Sequence, residues 1–156
     1  MASGTRHIYA APQRRRTDVM EEKRAMHTSS MAELNRLEIA ALEAIAAQYP
    51  ELEAELTLQF RTATCVGRRN TGAGFVTNLA VDHRQASLIA LRSSIGNVWA
   101  DVVGFQDPIT FLVFMREGYA VSLEGAAIRD DTSCTDFGQV SFAFRPGGSA
   151  GVLEDR

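Results

Sequence analysis

The chain has 156 residues, of which 46% are apolar and 22% charged, and its formal net charge is -3. This length suits one ordinary globular domain with its own core. Its apolar runs fall far short of the about 18 residues of a spanning helix, and no apolar signal segment opens the sequence. We therefore expect a cytoplasmic protein with no membrane partner. Two cysteines, Cys65 and Cys134, are too few for a disulfide framework or a structural zinc site.

Residues 1–30 are predicted to form a tail outside the folded domain. They carry six Arg or Lys against three Asp or Glu and show no sustained apolar period. Residues 31–156 carry ten Arg against sixteen Asp or Glu, a net charge of -6. This acidic body lacks the basic face that neutralises phosphates, so we do not expect nucleic acid as a partner. Residues 31–145 are predicted to form a single α+β domain, with residues 146–156 as a frayed end.

Two amphipathic helices are predicted to open the domain. The first has a capping box at "SMAE", from Ser30 to Glu33, and an apolar stripe over about 18 residues that Pro50 ends. The second begins with "ELEAE", whose carboxylates suit the positive end of a helix dipole. Together the helices present an acidic face: Glu38, Glu43, Glu51, Glu53 and Glu55. An exposed charged face is the ordinary explanation, and a basic partner protein at Glu51, Glu53 and Glu55 is the functional one.

After Phe60 the apolar period changes to that of strands. Segment Ile109–Met115 is almost entirely apolar, which is typical of a central strand covered on both faces, and Gly118 predicts a tight hairpin after it. The predicted strands are Thr62–Val66, Phe75–Val81, Ser87–Leu91, Asn97–Phe105, Ile109–Met115, Tyr119–Ala126 and Gln139–Phe144. The order of elements indicates an α+β fold: two N-terminal helices packed on a largely antiparallel sheet of about five to seven strands.

The segment "RRNTGAGF" contains a Gly-x-Gly beside two arginines and raises the question of a phosphate loop. Such loops connect a strand to a helix, whereas these glycines lead into a second strand, so the phosphate-loop interpretation fails. Gly72 and Gly74 are predicted to form a turn or bulge instead. The polar side chains before this turn leave a candidate anion contact: Arg68, Arg69 and Asn70.

No catalytic or metal-binding set emerges from the sequence. His83 follows Asp82, but neighbouring strand residues point to opposite faces, so a loop histidine is the better interpretation. There is no Gly-x-Ser-x-Gly elbow for a nucleophilic serine. Cys65 has the pattern of a core residue, and the aspartates around Cys134 disfavour its thiolate. We therefore expect no cofactor and no metal, and binding in preference to catalysis.

Three segments, "NTGAGFVTNLAV", "GNVWADVVGF" and "FLVFMREGYAVSLEGAA", resemble a pattern of small bacterial proteins of no assigned activity. In that pattern a Thr-Gly-x-Gly-Phe strand precedes a Gly-rich apolar hairpin that ends in Leu-Glu-Gly. The resemblance covers roughly Arg61 to Phe144. It implies a compact sheet domain in a bacterium, and it carries no catalytic residue to transfer.

Two functional hypotheses follow. The first is a non-catalytic module that binds another protein, of the inhibitor, immunity or regulatory type. The second is a small-molecule or minor enzymatic pocket between the sheet and the first helix, with ligand-binding residues Trp99, Tyr119 and Glu124. Edge strands in a sheet of this size also allow two chains to pair, which leaves a homodimer open.

Overall fold

The computed structural model describes residues 33–90 and 93–146. In these ranges the helices are α1 (Arg36–Ala46) and α2 (Glu53–Thr62). The strands are β1 (Thr64–Asn70), β2 (Gly74–Ala80), β3 (Ser94–Val102), β4 (Ile109–Arg116), β5 (Tyr119–Ala126) and β6 (Phe142–Phe144). The tail predicted for residues 1–30, and most of the end predicted for residues 146–156, lie outside the described residues.

The six strands form one sheet in the order β1-β2-β5-β4-β3-β6. Every neighbouring pair is antiparallel. The predicted α+β fold with an antiparallel sheet is therefore confirmed. The two helices of the described ranges lie within residues 36–62, inside the predicted domain.

Helix α1 begins with a capping box, although a different one from that predicted. The Asn35 side chain accepts a hydrogen bond from the Glu38 amide at 2.9 Å, and the Glu38 carboxylate accepts one from the Asn35 amide at 2.7 Å. The predicted Ser30 cap lies outside the described residues. The helix has 11 residues, fewer than expected. Its buried stripe faces the sheet and consists of Leu37, Glu38, Ala41, Leu42, Ile45 and Ala46.

The Gly-x-Gly segment forms the turn between β1 and β2, as predicted. Gly72 has φ +80° and Gly74 has φ +127°, backbone conformations that side chains rarely allow. A Cβ on Gly74 would also lie 1.9 Å from the carbonyl oxygen of Gly125 on the neighbouring strand β5. Only glycine fits this close approach, which accounts for Gly74 without any bound phosphate.

Two more features of the sheet depend on positive φ. Glu117 (φ 52°) and Gly118 (φ 83°) form the tight turn between β4 and β5, which confirms the predicted hairpin. In β3 a bulge breaks the register with β4 between Gly96 and Val98. Asn97 lies in this bulge with φ 119°, an unusual conformation for a residue with a side chain.

The bounds of two predicted strands shift: β1 is Thr64–Asn70 and not Thr62–Val66, because Thr62 ends α2, and β3 is Ser94–Val102 and not Asn97–Phe105. Two further strand predictions differ more. Residues 87–90 form no strand, because this segment is held by single hydrogen bonds: the Ile89 amide donates to the carbonyl of Gly118, and the Gln59 side chain donates to that of Ser87. The last strand is shorter than predicted. It keeps only Phe142–Phe144, since the Gln139 amide bonds back to Asp136 in a turn.

Both helices cover the same face of the sheet. The hydroxyl of Thr77 on β2 donates to Glu38 of α1 at 2.6 Å, so this covered face contains Thr77 and its cross-strand neighbours Leu123 and Val113. All three side chains have no solvent exposure. The hydrophobic core lies between this face and the helices.

Candidate functional site

An apolar groove separates α1 from α2 and ends at the start of β1. Its volume is about 660 Å³. Buried Leu42, Ala46 and Phe60 form its floor, and Ile39, which is 45% exposed, stands in its wall. A helical layer normally closes such a gap with its own side chains. Here the groove leaves apolar surface available to a ligand or to a partner.

Carboxylates dominate the rim of the groove. Glu33 and Glu43 line it directly, together with Arg61 of α2. Glu53 lies on the same row of α2 as Thr57 and Arg61, because residues four apart share a helix face. The predicted partner-face residues Glu51, Glu53 and Glu55 are all exposed near the start of α2, and none of the three lines the groove. With two carboxylates and one guanidinium among its lining residues, the groove carries a small net negative charge.

The three residues of the candidate anion contact are not brought together. Arg68 and Asn70 pair with Thr77 and Phe75 on the covered face of the sheet, whereas Arg69 pairs with Val76 on the other face. The side-chain amide of Asn70 donates to the carbonyls of Thr132 and Thr135, and its oxygen accepts from the Gly72 amide. Asn70 thus holds the β1-β2 turn against the loop after β5.

Arg68 forms an ion pair with a buried carboxylate. Its Nε lies 2.6 Å from Glu38 Oε1, and its Nη2 lies 2.7 Å from Glu38 Oε2. The hydrogen bonds to Glu38 raise the pKa of Arg68 above its ordinary value. Glu38 was predicted to belong to the exposed acidic face. That prediction was wrong: the residue has no solvent exposure and joins α1 to β1 and β2.

The predicted ligand-binding residues lie apart. Glu124 stands directly opposite Val76 and Leu112, and Trp99 stands opposite Thr110. All of these are on the face of the sheet that the helices leave uncovered, so neither Glu124 nor Trp99 points towards α1. Tyr119 begins β5 and stacks on the exposed ring of His83, with ring centroids 3.6 Å apart. The structure does not assemble the three into one pocket beneath the first helix.

The other ionisable side chains considered from the sequence are His83, Cys65 and Cys134. His83 lies in a turn, as predicted, where the Asp82 carboxylate accepts hydrogen bonds from the Arg84 amide and the Gln85 side chain. These bonds lower the pKa of Asp82. Cys65 is buried and Cys134 exposed. Across residues 33–90 and 93–146, His, Cys, Asp and Glu side chains form no group of three that is able to hold a metal ion.

The sequence interpretation missed three fully buried polar side chains: Glu38, Gln59 and Thr132. Gln59 donates to the carbonyls of Ser87 and Gly118 and accepts from the Ala120 amide. The Thr132 hydroxyl accepts from the Gly74 amide at 2.8 Å. A signal existed for two of them. Glu38 lies four residues after Leu34 and seven before Ile45, and Gln59 lies three residues after Leu56, so both fall within apolar stripes.

No family model, curated protein or solved structure matches this chain. Neither helix in the described part of the chain has the length and apolar character needed to cross a membrane.

Proposed function

We propose that this chain is a protein-binding module that acts without catalysis, as a cytoplasmic bacterial protein of the inhibitor, immunity or regulatory type. The observation that carries the proposal is the groove between α1 and α2. Its floor is apolar, and Ile39 remains 45% exposed beside it. An apolar groove with a charged rim is a common docking site for a segment of another protein.

The partner segment that fits the groove is an amphipathic helix with apolar residues on one side and Arg or Lys beside them. Ile39, Leu42 and Ala46 follow one another along about 10 Å of α1, which accommodates roughly two turns of a partner helix. The acidic rim, with Glu43 and Glu53, complements basic side chains flanking its apolar stripe. Rim charges of this kind mainly accelerate association and select the partner.

The groove offers a matched pair of variants for testing this proposal. Ile39 is 45% exposed and lines the groove, whereas Leu58 of α2 is 43% exposed and does not line it. Tagged full chains with Ile39→Asp and Leu58→Asp are used to isolate complexes from the native host, and native mass spectrometry quantifies each bound protein. A partner held in the groove is lost from Ile39→Asp by about tenfold or more, equivalent to about 1.4 kcal/mol, and is retained by Leu58→Asp.

Charge reversal then tests the rim. In a chain with Glu51→Lys, Glu53→Lys and Glu55→Lys, we expect weaker binding of the same partner and a smaller dependence of affinity on salt, because the reversed charges remove the electrostatic attraction. Partner recovery that is equal for the Ile39 and Leu58 variants would reject the groove. If the salt dependence of the affinity is unchanged after charge reversal, Glu51, Glu53 and Glu55 are not part of the interface.

A small-molecule ligand is the second candidate function. The groove volume of about 660 Å³ lies within the usual range of small-molecule sites, about 300–1,000 Å³. The same spectra separate the two functions. A small added mass that disappears with Ile39→Asp indicates a ligand, and a stoichiometric protein mass indicates the binding module.

A further inference from the structure

On the face of the sheet that the two helices leave uncovered, the central strand is apolar where a solvated strand is usually polar. Strand β4 is central in the sheet, and its Ile109, Phe111 and Val113 have no exposure on the covered face. Leu112 and Phe114 alternate with them and point to the uncovered face, where they remain half-buried. Antiparallel sheets with one solvated face normally alternate apolar with polar residues. Strand β4 instead has the composition of a strand covered on both faces.

The apolar character extends over neighbouring strands. Leu112 stands opposite Glu124 on β5, and Glu124 stands opposite Val76 on β2. Trp99 on β3 lies on this face too, opposite Thr110. Both helices lie on the other face, so neither supplies a second layer here. The patch defined by Val76, Trp99, Leu112 and Phe114 is called the sheet patch below.

The charges on this face are compatible with packing against the same face of a second chain. Arg69 and Glu124 lie in one row across the strands, separated by Val76. Asp101 is neutralised by Arg145, at 2.8 Å. On the helical side, in contrast, the carboxylates outnumber the cations: Glu33, Glu43, Glu51, Glu53 and Glu55 are accompanied by Arg36 and Arg61. Two sheet patches therefore meet without the repulsion that two helical faces would experience.

The area of the face is sufficient for a dimer. Strands β1 to β5 have seven to nine residues each. At about 4.8 Å between strands and about 3.3 Å per residue, they cover roughly 600 Å² per chain. Two chains together bury about 1,200 Å², the lower end of specific protein interfaces.

We propose that a second copy of this chain covers the sheet patch, so that two sheets pack face to face between two outer helical layers. Sheets packed in this way form a core about 10 Å thick from interdigitated side chains. The grooves between α1 and α2 remain on the outside of the dimer. The proposal goes beyond the protein-binding function and does not depend on it.

Trp99 provides a direct readout, since it is the chain's single tryptophan and belongs to the sheet patch. Light scattering after size exclusion of the full chain is expected to give twice the 17.0 kDa chain mass. Trp99 fluorescence is expected to shift to the red and become more accessible to acrylamide as dilution dissociates the dimer. A chain of single mass at all concentrations, with Trp99 open to acrylamide throughout, would overturn the proposal.

Two variants identify the face. Leu112→Arg places a cation directly opposite Glu124, which supports the folded chain through a cross-strand pair. Val76→Gln places an uncharged polar side chain between Arg69 and Glu124, where it meets no like charge. Each variant introduces a polar group into an apolar interface. We expect each to raise the dimer dissociation constant by roughly tenfold or more while melting cooperatively. Leu58→Arg, on the helical side, is the control and should stay dimeric. Dimers that persist in both folded sheet-patch variants would overturn the proposal.

Discussion

Glu38 and Arg68 form an ion pair in which the carboxylate has no solvent exposure and the guanidinium retains 34%. The Glu38 carboxylate also accepts from the Thr77 hydroxyl at 2.6 Å and from the Asn35 amide at 2.7 Å. Four donors thus compensate its removal from water. This cluster joins the start of α1 to β1 and β2. Because Glu38 is buried in the cluster, it does not contribute to a partner surface.

Replacing the buried carboxylate by an amide tests this cluster. Glu38→Gln removes the charge that compensates Arg68 and presents a donor to the Thr77 hydroxyl. Because Arg68 is partly hydrated, we expect a loss of about 2–3 kcal/mol in the free energy of unfolding. Urea denaturation measures this loss, provided that the unfolding free energy of both chains depends equally on urea concentration. Glu43→Gln, at an exposed site on the same helix, is the control and should change stability by about 0.5 kcal/mol or less.

Replacing the cation is expected to cost more than replacing the carboxylate. Arg68→Met leaves the Glu38 charge buried without its ion-pair partner, and breaking a buried pair in this way typically costs about 3–5 kcal/mol. The same urea measurement compares the two variants. If Arg68→Met were as stable as Glu38→Gln, the carboxylate would not require the guanidinium, and the cluster would owe its stability to the neutral hydrogen bonds.

The fold was predictable because its signals are local. Alternation marks β2 and a nearly continuous apolar run marks β4, each within a few residues, and Gly74 and Gly118 stand where the chain reverses. The same logic failed for residues 87–90, whose conformation depends on Gln59 and Gly118, far away in the chain. A segment tied by single hydrogen bonds has no periodic signal of its own.

The candidate site was less predictable than the fold. The acidic residues Glu51, Glu53 and Glu55 were identified from the sequence. The groove was not, because it depends on the distance between α1 and α2, which the apolar periodicity of a single helix does not determine. Helical spacing assigned Glu38 equally well to the charged face and to the apolar stripe. Its burial is decided by Arg68, 30 residues later. A local sequence pattern contains no information about pairing between residues this far apart in the chain.

Acid should weaken two surface ion pairs. The hydrogen bonds from Arg129 lower the pKa of Asp107, and those from Arg145 lower the pKa of Asp101, in both cases below the ordinary value of 3.8. A carboxyl group with a lowered folded-state pKa contributes its full stability above the unfolded-state pKa and loses it as pH falls through the folded-state value. The contribution of these pairs to the melting temperature should therefore be constant near neutral pH and should be lost as the pH falls below about 4.

Thermal melts from neutral to acidic pH check this, with Arg129→Gln and Arg145→Gln beside the unmodified chain. Each variant should flatten part of the acid-side decline. Since Arg129 and Arg145 are largely exposed, high salt should reduce the difference between the variants and the parent. A decline of the same steepness in all three chains would assign acid sensitivity to other groups.

The bulge in β3 predicts an inversion of the usual preference for alanine over glycine in strands. Asn97 has φ 119°, a conformation that costs a residue with a side chain about 1–3 kcal/mol. Both variants lose the hydrogen bond that the Asn97 side chain accepts from the Thr110 hydroxyl, but Asn97→Gly relieves the backbone strain and Asn97→Ala retains it. We expect the glycine variant to be more stable than the alanine variant by about 1 kcal/mol, measured by urea denaturation.

An ordinary strand position supplies the comparison for Asn97. At Ser122 in β5 the alanine variant should be more stable than the glycine variant by about 0.5–1 kcal/mol. The same order at both positions would show that the Asn97 backbone relaxes when its side chain is removed.

Gln59 is expected to be the most costly uncharged polar side chain to replace on α2. Gln59→Leu fills a similar volume, but it removes the partner of the Ala120 amide and of the Ser87 carbonyl, while the Gly118 carbonyl keeps its hydrogen bond from Ile89. The buried Ala120 amide without its partner costs about 1–3 kcal/mol, whereas the partly buried Ser87 carbonyl is close enough to solvent to accept from water. Hydrogen exchange of the Ala120 amide should accelerate along with the loss of stability. Gln106→Leu, at an exposed position, should leave both quantities unchanged. If Gln59→Leu were as stable as that control, water would replace Gln59 as the partner of the segment around Ser87. Gln59 would then not be the residue that attaches this segment to the β4-β5 hairpin.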